Sequence, residues 1–192
     1  MRAQRAGRFS GAALALLVIM SGAAACGSDT GAGLDAGDGR PAGRQADPAP
    51  ASSAENATAS QAALAAYAGY LDASREASRV GDPLHPALPK YLADPLLTRV
   101  RLTIRTAKEH GAMRTGTLKS DPVVTSVNLD TVPATVEIQD CLDATGYRLV
   151  DIKTKKVVPG TNGRRYLATA TATRYAGRWL ISAGAAHEDQ PC

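Results

Sequence analysis

The hydrophobic period of this chain changes at Gly111, and that change limits the folds open to it. Before Gly111, apolar residues recur at steps of three and four, as on one face of a helix; after it they alternate, as on the two faces of a strand. From Thr58, the residues Leu64, Tyr67, Ala68 and Leu71, continued by Ser74 and Ala77, predict a first helix that Gly81-Asp82-Pro83 closes. His85-Pro86-Ala87-Leu88-Pro89 reads as a constrained linker, followed by a short helical turn around 90–93. A second helix starts at Asp94, a good N-cap, with Pro95 at its first position. Its stripe is Leu97, Val100, Ile104 and Ala107, with Arg99, Arg101, Arg105 and Lys108 mostly off it. Strands are predicted near 113–119, 123–129, 134–141, 146–153, 165–175 and 178–187. The longest carries Tyr166, Ala168, Ala170 and Ala172 on one face and Leu167, Thr169, Thr171 and Thr173 on the other. Ala176-Gly177 is a tight turn, and the next strand holds the sole tryptophan, Trp179, with Ile181 on its face. Helices first and antiparallel strands after predict an α+β domain over 58–192, with two to three N-terminal helices packed on a curved antiparallel sheet.

Ahead of that domain the composition differs. Residues 27–57 hold one large apolar residue, Leu34, among Gly, Ala, Asp, Ser and Pro. Such a segment buries too little surface to offset its ordering entropy, so 26–57 reads as a disordered spacer. Its flexible reach is roughly 30 Å. Arg2, Arg5 and Arg8 precede the apolar run 12–20, and Ser21-Gly22-Ala23-Ala24-Ala25 follows, the pattern of a secretory signal over 1–25. The run is too short to remain as a bilayer-spanning helix. Without those three arginines, the 22 basic residues fall to 19 against 18 acids, so the basic balance of the whole chain gives no support to a nucleic-acid partner. Lys153, Lys155 and Lys156 read as a solvated turn between strands.

Ala23-Ala24-Ala25-Cys26 resembles the lipobox of bacterial lipoproteins, with Ala23 where leucine is preferred. The resemblance implies diacylglyceryl attachment at Cys26 and cleavage just before it. The other reading is ordinary cleavage after Ala25, which leaves Cys26 a free thiol. Acylation removes what would otherwise be a reactive exposed group. The implied location is the outer face of the cytoplasmic membrane, with a secreted chain as the alternative.

The order of elements, with Tyr91-Leu92-Ala93-Asp94-Pro95, Asp121-Pro122-Val123-Val124, Ile138-Gln139-Asp140-Cys141-Leu142-Asp143 and Gly177-Arg178-Trp179-Leu180-Ile181, resembles small exported proteins and lipoproteins of actinobacteria. These carry a nuclear-transport-factor-2-like fold, also called cystatin-like or ketosteroid-isomerase-like. The resemblance covers roughly residues 60–192 and implies a conical helix-and-sheet domain. It implies no single function, because that superfamily includes enzymes, transport factors and assembly subunits. In an oxidising compartment, Cys141 and Cys192 are expected to bridge, although two separate structural thiols fit the sequence as well.

No G-x-S-x-G, H-E-x-x-H, P-loop or dinucleotide fingerprint occurs in the sequence. His85, His110 and His187 have no ligand spacing to one another, so neither a metal nor another cofactor is expected. Ketosteroid-isomerase-like enzymes place a carboxylate or histidine base inside the cone with a Tyr or protonated Asp donor. The polar candidates for such a cavity are Tyr67, Tyr70, Asp72, Tyr91 and Glu137, and Trp179 is a further lining candidate. Two classes follow: a membrane-anchored, non-enzymatic module that binds an envelope protein or a small apolar ligand, or an exported isomerase- or lyase-type enzyme. A carboxylate facing a Tyr hydroxyl in a deep pocket would favour the enzyme.

Overall fold

The computed structural model describes residues 52–192. Cys26, the signal segment 1–25 and the spacer up to residue 51 lie outside the described residues. The first helix, α1, runs Ser53–Val80 and so starts ahead of the expected Thr58. The cause is a capping box. Ser52 Oγ accepts from the Glu55 amide at 3.3 Å, and Glu55 Oε2 accepts from the Ser52 amide at 2.7 Å. This satisfies two of the amides that every helix start leaves unpaired. Residues 53–57, read above as spacer, are therefore helical. At the other end Gly81, at φ 65°, takes the left-handed turn that stops the helix.

The short α2 spans Leu88–Tyr91 and α3 spans Leu96–Glu109. Asp94 caps α3 from outside it, Oδ1 accepting from the Thr98 amide at 3.1 Å and from Thr98 Oγ1 at 2.6 Å. The strands are β1 (Ala112–Gly116), β2 (Pro122–Asn128), β3 (Thr135–Asp143), β4 (Tyr147–Asp151), β5 (Val157–Asn162), β6 (Arg165–Tyr175) and β7 (Arg178–His187). All pairs are antiparallel, and they fall into two sheets, β1-β4-β5 and β2-β3-β6-β7. The β4–β5 hairpin leaves the larger sheet between β3 and β6 and pairs with β1. Strand β5 was not expected, because Pro159 and Gly160 interrupt its pattern. It lies at a sheet edge, where a missing N–H donor is tolerated. Bulges between Val124 and Ser126 and between Thr171 and Ala172 interrupt the larger sheet's register, and each bends its strand.

The fold is α+β, with the helices packed on antiparallel strands. Along β3, Val136, Ile138, Asp140 and Leu142 face inward, and Ala168, Ala170 and Ala172 do so on β6. They meet Ala59, Ala63, Ala66, Tyr67, Ala73 and Ala77 of α1 and Leu88, Leu92, Leu96, Leu97 and Ile104 beyond it. Burying an isoleucine such as Ile138 or Ile181 stabilises the fold by about 1.5–3 kcal/mol. The buried face of α1 is turned from the expected one. Alanines form it, Leu64 and Leu71 flank it, and Ala68 is exposed. Small residues on both α1 and β6 let helix and sheet approach closely, which pushes the longer leucines to the flanks.

The free edge of β7 is covered. The Ala93 amide donates to the Ile181 carbonyl at 3.0 Å, and Arg99 Nη1 donates to the Gly184 carbonyl at 3.0 Å. These contacts occupy edge acceptors that could otherwise recruit another strand. The lysine cluster forms the turn between β4 and β5. There Asp151 Oδ1 accepts from the amides of Lys153 at 3.0 Å and Thr154 at 2.6 Å. The Thr154 amide, then the Thr154 hydroxyl, and to a smaller extent the Lys153 amide hold the Asp151 carboxyl below its usual range.

Candidate functional site

A cavity of about 250 Å³ opens between α1, α3 and the larger sheet. Leu71, Leu96, Val100, Ile104, Leu142 and Ala168 supply aliphatic wall. Tyr67 and Tyr70 come from α1, one helical turn apart with ring centroids 5.8 Å from each other, and Tyr166 enters from β6. Burial pushes the Tyr67, Tyr70 and Tyr166 hydroxyls above the ordinary phenol value, so all three are neutral at physiological pH. Ser74 also lines this cavity, and its Oγ is buried with no partner among the described residues.

Tyr70, Thr103 and Tyr166 are shared with a second hollow of about 510 Å³ that lies nearer the β4–β5 hairpin. This vestibule adds Tyr147, Arg114, Arg164 and Glu188. Its wall near Gly163 is backbone, since a side chain there would collide with the Ala144 carbonyl. Arg114 lies 5.8 Å from the Tyr147 ring centroid, in cation–π range. Burial raises Tyr147 as well.

The structure brings a carboxylate to a Tyr hydroxyl, but outside the cavity. Tyr67 donates to Asp140 Oδ2 at 3.0 Å. Asp140 Oδ2 also accepts from Ser120 Oγ at 2.7 Å, and its Oδ1 accepts from the Asp121 amide at 2.7 Å. Asp140 is only 1% exposed. Three donors engage its two oxygens, and it does not line the cavity.

Of the candidates from sequence, Tyr67 and Tyr70 line the cavity, while Tyr91, Glu137 and Trp179 do not. The Tyr91 ring lies against Gly69 of α1, and Tyr91 is 36% exposed. Glu137 points to the opposite face of the sheet, because it alternates with the inward Val136 and Ile138; its Oε2 accepts from Thr171 Oγ1 at 2.9 Å. Trp179 sits at the far end of α1, beside Ala54, Thr58, Ala62 and Leu129. Asp72 is exposed and ion-paired with Arg75 at 3.1 Å. Cys141 and Cys192 form a disulfide with a Cα separation of 5.7 Å. His110 Nδ1 lies 2.8 Å from the Thr106 carbonyl, and His187 Nε2 lies 3.1 Å from Thr169 Oγ1.

Sequence reading did not find Asp140, Tyr147, Arg99, Arg114 or Arg164. A signal existed for Asp140, which takes an inward position between Ile138 and Leu142 on an alternating strand. Tyr166 was placed on the correct face of β6 and could have been followed into the cavity along it. The arginines carried no such signal, since only the packing of separate elements brings them together.

No family model matches this chain, and no curated protein matches it. Among solved structures it is similar to the intermembrane-space region of the chloroplast protein ARC6, at 18% identity and a TM-score of 0.49, over 66% of this chain and 95% of that one. That likeness is too distant to indicate a family or a function. No helix among the described residues is long and apolar enough to cross a membrane.

Proposed function

We propose that this chain is an exported, lipid-anchored envelope protein whose nuclear-transport-factor-2-like domain binds a small apolar molecule without transforming it. The observation that carries the reading is the division between cavity and carboxylate. The cavity wall is aliphatic and phenolic, which suits burial of an apolar body with a few orienting polar groups. The nearby carboxylate, Asp140, already receives three hydrogen bonds and is closed off from the cavity. A general base has to reach the proton it removes; no carboxylate lines the inner cavity among the described residues, and Glu188 lines only the adjoining hollow, so an isomerase- or lyase-type mechanism is the weaker reading. The Cys141–Cys192 disulfide supports an extracytoplasmic location, and the lipobox-like Ala23-Ala24-Ala25-Cys26 supports the anchor.

Two experiments test the two parts. A neutral apolar dye, Nile red, should bind the full chain and gain fluorescence. Ala168→Leu, which projects extra methyl groups into the cavity, should abolish that gain while the circular dichroism spectrum is kept. Equal dye binding by both proteins would remove the cavity from the reading. For the anchor, Cys26→Ser should move the protein from the membrane fraction to the soluble one, and unchanged fractionation would rule out lipid attachment at Cys26.

A further inference from the structure

We infer that the molecule taken by this cavity is an amphipathic anion, with its apolar body in the inner cavity and a carboxylate or phosphate head in the vestibule; this rests on the binding function proposed above. The two hollows adjoin at Tyr70, Thr103 and Tyr166, which line both, and their far ends are unlike. The inner end is mainly aliphatic. The outer end is lined by two arginines, Arg114 and the exposed Arg164, and by one acidic residue, Glu188. Arg99, an exposed residue that also lines the inner cavity, adds a third guanidinium, with one nitrogen donating to the Gly184 carbonyl. None of these three arginines is in a salt bridge among the described residues. The site therefore carries an excess of positive charge that the protein leaves unmatched.

The phenols point the same way. Tyr70 and Tyr166 line both hollows. A neutral phenol can donate to an anionic oxygen, and such a charge-assisted bond is shorter and stronger than one between neutral groups. Guanidinium forks suit carboxylate and phosphate oxygens in the same way. A wholly apolar ligand would leave these donors and cations unanswered in a partly closed site. An amphipathic anion answers them while its tail fills the aliphatic end.

The test is a competition for bound Nile red, using the full chain with Cys26→Ser so that no detergent is needed. The competitors are decanoate, decyl phosphate and decanol, each below its micelle concentration. They share one tail and differ in the head. At least one anion should displace the dye at about a tenfold lower concentration than decanol. Arg114→Gln or Arg164→Gln should shrink that gap by about threefold or more and leave decanol unchanged. Arg164 is exposed, so its replacement is not expected to disturb folding. Equal displacement by all three compounds would overturn the anionic head and leave the apolar cavity standing. An anion preference that survives both substitutions would overturn the placement of the head. Failure of the dye to bind at all would remove the binding function, and this inference with it.

Discussion

The Tyr67 hydroxyl, in the middle of α1, donates to Asp140 Oδ2 on β3 at 3.0 Å, across 73 positions of sequence. Ser120 and Asp121, at the entry to β2, donate to the same carboxylate. One buried acceptor thus ties together a helix, a central strand and the start of an edge strand. It also engages the hydroxyl of Tyr67, a residue that lines the cavity, with a carboxylate that does not line it.

Asp140→Ala should destabilise the domain most, because it removes the acceptor of three donors, one of them the buried Tyr67 hydroxyl, which left unpaired costs about 1–3 kcal/mol by itself. Tyr67→Phe removes one bond to a charged acceptor and should cost about 1.5–3 kcal/mol. Asp140→Asn should cost less than the alanine variant. Its oxygen can still accept from the Asp121 amide, and the Tyr67 and Ser120 hydroxyls can turn to accept from its nitrogen. Urea midpoints at constant slope give the order. A Tyr67→Phe variant within about 0.5 kcal/mol of the parent would mean that this bond does not tie α1 to β3.

Alkaline pH should weaken the fold through the same phenol. Tyr67 is raised first by burial and then by the Asp140 charge, so the folded state keeps a proton that the unfolded state loses near pH 10. Its stabilisation is complete below that pH. It falls by about 1.4 kcal/mol per pH unit above it, until the folded state itself ionises. Tyr70, Tyr147 and Tyr166 act with the same sign. Urea midpoints measured between about pH 9 and about pH 11 should decline, and less steeply in Tyr67→Phe. Identical slopes in the two proteins would show that Tyr67 ionises normally in the fold.

The fold could be read from the sequence where local pattern and tertiary packing agree. The 3.6-to-2 change at Gly111 marks the passage from α3 to β1, and the alternation of β6 assigns its faces correctly. Reading failed where packing overrides pattern. The start of α1 was missed because Ser52-Ser53-Ala54-Glu55 lies in a polar, Ala-rich stretch, although its capping-box spacing was visible. Its buried face was misjudged because alanines pack closest while leucines look more hydrophobic. For the cavity, the phenols on α1 were legible. The vestibule was not, because Arg114, Tyr147 and Arg164 come from two different strands and a loop that meet only after the hairpin folds back.

Gly69 and Tyr91 should show strong coupling. Glycine inside α1 costs about 1 kcal/mol against alanine, yet a Cβ at Gly69 would run into the Tyr91 ring. In the parent protein, Gly69→Ala trades that helix gain against displacement of the ring, an overpacking cost of about 1–3 kcal/mol. It should therefore be neutral or destabilising. In a Tyr91→Ala background the obstacle is gone, and the same substitution should stabilise by about 1 kcal/mol. A double-mutant cycle on thermal unfolding reads the change of sign. Additive effects would mean that the ring does not rest on Gly69.

Reduction of Cys141–Cys192 should loosen the vestibule before it unfolds the domain. The bridge spans 51 positions, and the chain-entropy model gives such a loop about 4 kcal/mol. The segment that it holds lies against β6, where the Leu167 amide donates to the Gln190 carbonyl at 2.9 Å. That segment also carries Glu188 at the vestibule wall. Without the bridge, a single backbone hydrogen bond to β6 remains there, and bonds of that kind contribute about 0.5–1.5 kcal/mol each. Cys192→Ser should thus lower the urea midpoint, and it should speed amide exchange at Leu167 and along 188–192 more than at Ile138 or Ile181. With Glu188 freed, the positive excess beside Arg114 and Arg164 grows, so decanoate should displace Nile red at a lower concentration than in the parent. If exchange at Leu167 and the decanoate midpoint both stay unchanged while stability falls, the bridge acts on the unfolded chain alone and has no part in shaping the vestibule.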